Sequence, residues 1–264
     1  MAKAFLRWAG SKKKLIPHLV NHIDWRFKRY IEPFVGSAQL FFSLNPASAV
    51  LSDINKDLIN TYKIVRSNYK EVHKALLEFS ISQEEYYNVR SWDVNQLSNI
   101  MKAARFIYLN RFCFNGLYRT NLNGEFNVPY GGYKTGNLPE LQTLKEISRS
   151  LKKAKLIAGD FEDVIIANVL PGDFIYFDPP YAVQNARVFN QYNPQTFGLS
   201  DLERLSILLL NLHENGNRFL VSYAYCEEAL YLLNRWKPKK VRIQRSISGF
   251  GKSRNASFEL IAHN

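Results

Sequence analysis

The residues with the clearest chemistry are Asp178, Pro179, Pro180 and Tyr181, which follow the apolar run 174–177. Two consecutive prolines fix their own φ angles and restrict the residue before each, so the backbone leaves this run in a set direction. A carboxylate and the prolyl carbonyls then form a group of acceptors beside an aromatic ring. Two acceptors on the hydrogens of a base's exocyclic amino group would draw its nitrogen towards a pyramidal, nucleophilic shape, while Tyr181 stacks on the base. A purely structural Pro-Pro exit from a strand is the alternative.

A second candidate site is a turn with a single glycine, EPFVGSA at 32–38, followed by Asp53 at the end of another apolar run. A glycine here lets a ligand approach the backbone, and a carboxylate after the next strand can accept hydrogen bonds from ribose hydroxyls. Other nucleotide-binding proteins share this pattern, so alone it indicates only a nucleotide-like ligand. The chain has no GxxxxGK[ST] phosphate loop, which disfavours an NTPase.

Other site chemistries have little support. The five histidines are scattered and the two cysteines form no CxxC pair, so no metal site and no disulfide scaffold are predicted. There is no GxSxG nucleophile elbow. The longest apolar run, 205–212, is far shorter than the roughly 20 residues that span a bilayer. The first residues lack the apolar core of a secretion signal, so we expect a cytoplasmic protein without a membrane partner.

Four short apolar runs bounded by turn residues predict the strands that position these groups: 49–52, 155–158, 174–177 and 219–222. Helical stretches separate them, and the stretch 199–213 opens with a capping-box pattern at 200–203. Strands that alternate with helices predict an α/β fold with a mostly parallel sheet, whose carboxyl ends form a binding crevice.

The middle of the chain has a different pattern. A core-facing helix is predicted by apolar residues at helical spacing, namely Leu97, Ile100, Met101, Ala104, Ile107 and Tyr108. Asn123-Gly124 between two alternating segments predicts a β-hairpin. We therefore predict a helical insertion with a projecting hairpin at 57–147, between two parts of one domain at 1–56 and 148–264.

The charge of the chain indicates a polyanionic partner. Of 264 residues, 35 are lysine or arginine and 23 are acidic, which gives a formal net charge of +12. Such a balance favours nucleic acid or an anionic membrane surface. Any single basic run can simply be a solvated face. The densest cluster, 237–254, is mixed with glycine and serine and predicts a phosphate-facing loop.

Six blocks in fixed order carry a resemblance to a known family. They are FLRWAGSK (5–12), EPFVG (32–36), SDIN (52–55), NR with FNGLYR (110–111 and 114–119), GEFNVPYG (124–131) and DPPY (178–181). Together they resemble the Dam family of DNA adenine methyltransferases, and the resemblance covers nearly the whole chain, including 245–248. It implies a Rossmann-like methyltransferase core, S-adenosylmethionine as donor, no metal, and transfer to the amino group of adenine in double-stranded DNA.

The resemblance also implies roles for individual residues. Asp178, Pro179, Pro180 and Tyr181 match the catalytic loop. Cofactor contacts are expected from Trp8 and Lys12 in the N-terminal segment, Phe34 and Gly36 around the methionine part, Asp53 at the ribose, Asp160 and Phe161 at the adenine, and Asp178. Arg7 stands where the family has a lysine that reads the first guanine. Leu117, Arg119, Pro129 and Tyr133 match readers of later base pairs, and Phe114 with Asn115 match residues that enter the base stack when adenine is flipped out.

The resemblance leaves alternatives and shows departures. The expected target is GATC, but relatives that modify longer sites such as GATATC share much of the hairpin. An RNA or protein amino-group methyltransferase and a non-catalytic DNA-binding protein are the rival functions. Ala38 replaces a second glycine, and Tyr223 follows Ser222 where relatives often have asparagine. We expect a monomer, with one or two molecules at each DNA site.

Overall fold

A single sheet forms the centre of the molecule. The computed structural model of the chain describes residues 2–23, 26–132, 136–181, 197–243 and 257–264, and within them seven strands form that sheet. The strands are β1 (Arg29–Glu32), β2 (Ala49–Asp53), β3 (Ala154–Ala158), β4 (Asp173–Phe177), β5 (Arg218–Ala224), β6 (Lys239–Ile243) and β7 (Ser257–His263). The helices are α1 (Ile16–Val20), α2 (Gln39–Leu44), α3 (Lys56–Leu77), α4 (Gln83–Ser91), α5 (Asn99–Phe112), α6 (Leu141–Leu151), α7 (Phe161–Asn168), α8 (Leu199–Glu214) and α9 (Glu227–Leu233). No helix among these residues combines the length and apolar character needed to cross a bilayer.

The strand order is β3-β2-β1-β4-β5-β7-β6. Strands β1 to β5 are parallel, whereas β7 runs antiparallel between β5 and β6. The chain order reverses between β1 and β4, and at such a switch point the loops after neighbouring strands diverge and open a crevice. The predicted α/β fold with a mostly parallel sheet is confirmed, and the four predicted strands are β2 to β5.

Side chains of the central strands alternate between two hydrophobic cores. In β4, Phe174 and Tyr176 enter one core, and Ile175 and Phe177 enter the other. The first core also holds side chains of the N-terminal segment, α2, α3, α5 and α6, while the second is covered by α7, α8 and α9. Burial on both faces explains why these strands are continuously apolar, as parallel strands usually are.

The predicted stretch 199–213 matches the start of helix α8, but the predicted capping residue of α8 is wrong, and helix α5 starts two residues after Leu97. Helix α8 begins at Leu199 after the cap Gly198, whose backbone N–H donates to the Asp201 carboxylate at 2.9 Å, so the box does not start at Ser200. Helix α5 begins at Asn99, because the Ser98 hydroxyl accepts from the N–H of Met101 at 3.2 Å and caps it. Leu97 of the predicted stripe therefore precedes the helix.

The predicted insertion 57–147 covers nearly all of helix α3, all of α4 and α5, a hairpin-like loop and the first part of α6, whose last four residues lie beyond the predicted boundary. Helix α3 packs against α5 and α6 and also against β2 and β3, so this segment shares the first core with the sheet. Its status as a separate domain stays a prediction. The loop arms meet at two isolated bridges, Cys113 with Tyr130 and Thr120 with Phe126, rather than as continuous strands. The side-chain oxygen of Asn121 accepts backbone N–H groups at the tip, including that of Glu125 at 2.9 Å, and tightens the turn.

Candidate active site

A cavity of about 560 Å³ opens at the carboxyl edge of the sheet, at the switch point between β1 and β4. It brings together residues from six separate parts of the chain. The predicted catalytic and cofactor residues all line it: Trp8, Lys12, Phe34, Gly36, Asp53, Asp160, Phe161, Asp178, Pro179, Pro180 and Tyr181. Its size and mixed lining suit a small-molecule ligand.

A buried lysine ties the N-terminal segment to residues 178–181, which we call the acidic-proline corner. The Lys12 ammonium lies 3.1 Å from Asp178 Oδ1 and donates to the Tyr181 hydroxyl at 2.9 Å. The Ser222 hydroxyl donates to the same Asp178 oxygen at 3.2 Å. The second Asp178 oxygen has no protein donor among the described residues. It is therefore available to accept from a ligand.

Burial sets the ionisation of this corner. Burial raises the pKa of Asp178 to about 6, although the Lys12 charge opposes that rise. Burial by itself would lower the pKa of Lys12, but the Asp178 carboxylate and its other neighbours outweigh it, and the pKa of Lys12 ends above its usual value. Lys12 is therefore charged at neutral pH, while Asp178 can take up a proton within about one pH unit of neutrality.

Glu259 on β7 belongs to the same cluster, and the sequence reasoning missed it. Its carboxylate accepts from the Lys12 ammonium at 3.2 Å and from the Tyr181 hydroxyl at 3.2 Å, and the residue is only 5% exposed. No motif surrounds it. The available signal was one acidic residue within the apolar run 258–262, because a carboxylate in a buried strand needs a partner.

The second part of the cavity is built on Asp53 and the glycine turn. The Asp53 carboxylate accepts backbone N–H groups of Gly36 and Asn55, each at 3.0 Å. Burial raises the pKa of Asp53 to about 6 against the opposing effect of these donors. Gly36 has φ +43°, and a Cβ there would lie 2.8 Å from Cδ1 of Trp8. Only glycine permits this contact. Ala38 also adopts a left-handed conformation, with φ 54°. Glycine adopts this conformation most easily, which explains why the family that the sequence resembles has glycine where this chain has Ala38.

Aromatic rings surround the third part of the cavity. The ring of Phe34 lies 5.1 Å from that of Phe161 and 5.9 Å from that of Phe197. Such rings can enclose a flat heterocycle. The Asp160 carboxylate beside them is held by Arg204, a residue that the sequence reasoning missed.

Arg204 organises the acidic side chains of this aromatic end. Its guanidinium donates to Asp160, to Glu162 at 2.7 Å and to Asp201 at 2.9 Å, and it lies 4.8 Å from the Phe161 ring centre. These hydrogen bonds, Asp160 first, raise the pKa of Arg204 despite some burial. Asp160 is thus oriented before any ligand binds. The partners of Arg204 come from the segment 160–162 and from Asp201, and no recognised local motif contains this set.

The N-terminal segment joins the cavity to the hairpin-like loop. Arg7 and Asn110 exchange two hydrogen bonds, from the Arg7 N–H at 2.8 Å and from the Asn110 amide at 2.6 Å. A Cβ on Gly116 would lie 2.4 Å from Cβ of Arg7, so Arg7 sits directly against the 3₁₀ turn 114–116. One residue later, the Trp8 ring stacks on that of Tyr118 at 5.9 Å. The short segment 7–12 therefore connects this loop directly to Lys12.

The residues predicted to contact DNA lie around that loop. Phe114 is 43% exposed, and its N–H donates to the carbonyl of Pro129 at 2.9 Å, which brings these two together. Asn115 has φ 55° and Leu117 is half-buried. Tyr133 lies outside the described residues, as do 245–248 and three basic residues of the cluster 237–254, namely Arg245, Lys252 and Arg254.

The guanidinium of Arg119 is held by Asn127, which the sequence reasoning did not single out. The Arg119 Nε donates to the side-chain oxygen of Asn127 at 2.7 Å, and a second nitrogen reaches the Asn127 carbonyl at 3.4 Å. An arginine fixed in this way presents its remaining donors in one direction.

Tyr223, which stands where relatives often have asparagine, packs against the acidic-proline corner on the side away from the cavity. Tyr223 is buried, its ring lies 5.5 Å from that of Tyr181, and its hydroxyl donates to the Pro180 carbonyl at 3.4 Å. It supports the acidic-proline corner from behind and does not itself line the cavity. Among the described residues, no three histidine, cysteine or acidic side chains are grouped closely enough to hold a metal ion.

The sheet order, the crevice and the composition of the cavity together define a Rossmann-like methyltransferase. Residues 8–247 match the family of D12 class N6 adenine-specific DNA methyltransferases, and the chain belongs to that family. The resemblance to the Dam family and the prediction of an adenine-specific DNA methyltransferase are confirmed.

Named relatives cover nearly the whole chain. The type II methyltransferase M.MjaIII of Methanocaldococcus jannaschii is 36% identical over 99% of this chain and 99% of its own. The type II methyltransferase M1.LlaDCHI of Lactococcus lactis subsp. cremoris is 32% identical over 99% of this chain and 95% of its own. The DNA adenine methylase of Escherichia coli is 33% identical over 98% of this chain and 94% of its own.

Proposed function

We propose that this enzyme transfers a methyl group from S-adenosylmethionine to the exocyclic amino group of adenine within GATC, after the adenine has been flipped out of double-stranded DNA into the corner formed by residues 178–181. One observation carries the proposal. The acidic-proline corner and Asp53 open into the same cavity, and the segment 7–12 links that cavity to the loop with the predicted DNA contacts.

The chemistry of the cavity fits the donor. Asp53 offers acceptor lone pairs at a turn where only glycine fits, and Phe34 with Phe161 offers aromatic faces beside the oriented Asp160. Asp178 places a carboxylate at the opposite end, where a cationic centre would be favoured. When bound, S-adenosylmethionine supplies a methyl group activated by its sulfonium.

The corner would prepare the target amino group. The Tyr223 hydroxyl already donates to the Pro180 carbonyl, which supports the Pro179 carbonyl and the free Asp178 oxygen as the two acceptors for the amino hydrogens. Tyr181 would stack on the flipped base. The new N–C bond would form as the S–C bond of the methyl donor breaks and leaves a neutral thioether. One amino proton must then leave, and Asp178, whose pKa is about 6, can hold that proton before it passes to water.

The loop around residues 114–129 would recognise the DNA. An arginine can contact a guanine edge with two hydrogen bonds worth roughly 1–3 kcal/mol, and Arg7 and Arg119 are the candidates. Flipping a base costs a few kcal/mol, which the exposed Phe114 could offset by entering the stack. The net charge of +12 supplies sequence-independent attraction to phosphates. We propose a monomeric enzyme in the cytoplasm, held to the nucleoid by its DNA substrate.

Transfer of labelled methyl groups to matched duplexes tests the proposal. Duplexes containing GATC, single-base-pair variants of it, and GATATC are each incubated with the enzyme and labelled donor. Label confined to the adenine of GATC is expected. Label only on GATATC would replace the proposed site, and label on structured RNA but not on DNA would replace the substrate. Methylation-sensitive digestion of DNA from cells that express the enzyme gives an independent readout.

A further inference from the structure

Glu259 has no role in the chemistry described so far, although it contacts two members of the acidic-proline corner. It lies on β7, where it pairs in register with Ala224 at the carboxyl end of β5. Its two oxygens accept from different donors, Oε2 from the Lys12 ammonium and Oε1 from the Tyr181 hydroxyl, each at 3.2 Å. A carboxylate in a residue that is only 5% exposed loses most of its hydration. The charge of Glu259 is therefore little screened by water and acts strongly on Lys12 and Tyr181.

The Lys12 ammonium is consequently shared between two carboxylates. It lies 3.1 Å from Asp178 and 3.2 Å from Glu259, and its own side chain is 6% exposed. A lysine paired with Asp178 alone would cancel the charge of that carboxylate at close range. Because Glu259 draws on the same ammonium, Asp178 keeps more of its negative potential on the cavity side. The Glu259 carboxylate also accepts a hydrogen bond from the Tyr181 hydroxyl, and this contact fixes the orientation of the Tyr181 ring.

We propose that Glu259 is a positioning residue that offsets the charge of Lys12, so that the corner attracts the sulfonium cation of the donor and distinguishes it from the neutral thioether product. This inference rests on the proposed function, because it concerns the donor of the same reaction. The product of transfer, S-adenosylhomocysteine, keeps the adenosine and the amino acid but lacks the positive charge. The negative charge of Glu259 should therefore strengthen the binding of S-adenosylmethionine and leave the binding of S-adenosylhomocysteine nearly unchanged.

The test compares the affinities of these two ligands for the wild type and for Glu259→Gln, by isothermal titration calorimetry at pH 7.5. Glutamine keeps the size and an acceptor but removes one negative charge, whatever else Glu259 contacts. We expect the affinity for S-adenosylmethionine to fall about tenfold and that for S-adenosylhomocysteine to change less than about twofold, since one charge acts only on the cation.

Asp173→Asn is the matched control. Asp173 is also buried and paired, with Arg29 at 2.6 Å, but it lies at the amino end of β4, on the opposite edge of the sheet. Its substitution removes the same charge at a comparable burial, roughly 16 Å along the strand from Asp178. The ratio of the two affinities should stay at its wild-type value in this control.

The outcomes separate the inference from the proposed function. If the wild type binds neither ligand, the proposed function fails. If it binds both and Glu259→Gln weakens both equally, or neither, the charge argument is overturned. Should Glu259→Gln not fold, as judged by its thermal transition, the double variant Lys12→Met/Glu259→Gln is titrated with both ligands at pH 7.5, because it removes both opposite charges and keeps the net charge beside Asp178. If Glu259 offsets the charge of Lys12, the ratio of the two affinities should stay within about twofold of its wild-type value. A selective loss of S-adenosylmethionine in this double variant would overturn the inference.

Discussion

Replacement of Asp178 by asparagine should stabilise the folded enzyme while it impairs transfer. In the fold, burial raises the pKa of Asp178 from 3.8 to about 6, and the side chain is 21% exposed. A carboxyl group with a raised pKa binds more protons in the folded than in the unfolded chain, so its contribution to stability is lost as the pH rises from about 4 to about 6. At neutral pH the ionised carboxylate therefore destabilises the fold.

The expected size follows from the pKa change. A rise of about two units corresponds to about 3 kcal/mol of unfolding free energy at pH 8 and about 1 kcal/mol at pH 4.5. Asparagine removes this cost. Lys12 is not left without a carboxylate, because Glu259 lies 3.2 Å from it. Ser222 can still donate to the asparagine oxygen.

Urea unfolding without ligand, at pH 4.5 and pH 8, measures this effect. Asp178→Asn should raise the free energy of unfolding by up to about 3 kcal/mol at pH 8 and by clearly less at pH 4.5. Asp163→Asn, an exposed carboxylate on α7, serves as control and should stay within about 0.5 kcal/mol of wild type. An equal gain at both pH values, or a loss at pH 8, would refute the reasoning.

Asp178→Ala should abolish transfer and change DNA affinity only a few fold.

Three further predictions concern the other parts of the site. Arg119→Ala should relax discrimination at one base pair in transfer assays with variant duplexes, and Asn127→Ala should do so more weakly, because it removes the acceptor at 2.7 Å that orients the arginine. Arg204→Met should raise KM for the donor severalfold with little change in kcat, since it frees the carboxylates at the aromatic end. Gly36→Ala should cost at least about 1–2 kcal/mol in urea unfolding, because the methyl group would need a left-handed backbone and would overlap Trp8.

Each of these three predictions would be contradicted by one specific result. Uniform loss of transfer across all duplexes would make Arg119 a phosphate contact rather than a base reader. A fall in kcat at an unchanged KM would remove Arg204 from donor binding. Wild-type stability in Gly36→Ala would mean that the turn relaxes away from Trp8 at no cost. Gly124→Ala is the control for that variant, because its φ is +81° but a Cβ there meets no atom within 4 Å.

Local pattern was sufficient for much of the fold. The run at 174–177 consists of apolar and aromatic residues, the run at 49–52 is apolar up to Ser52, and each is followed by an aspartate, so strand identity followed from hydrophobicity and turn signals alone. Helix boundaries were less secure. The pattern at 200–203 indicated Ser200 as the cap of α8, whereas the backbone N–H of Gly198 donates to the Asp201 carboxylate and the helix begins at Leu199.

The sequence by itself determined the family, the order of its motifs and many of the residues that line the cavity, because these belong to short segments with recognisable chemistry. Only the tertiary structure decided their partners. Glu259 and Lys12 are separated by 247 positions, and Arg204 and Asp160 by 44, and no local spacing relates such residues. Their contacts exist because strand order brings β7 beside β5 and because α8 packs against α7. Long-range pairing of this kind depends on topology and register, which the hydrophobic pattern of a single segment does not contain.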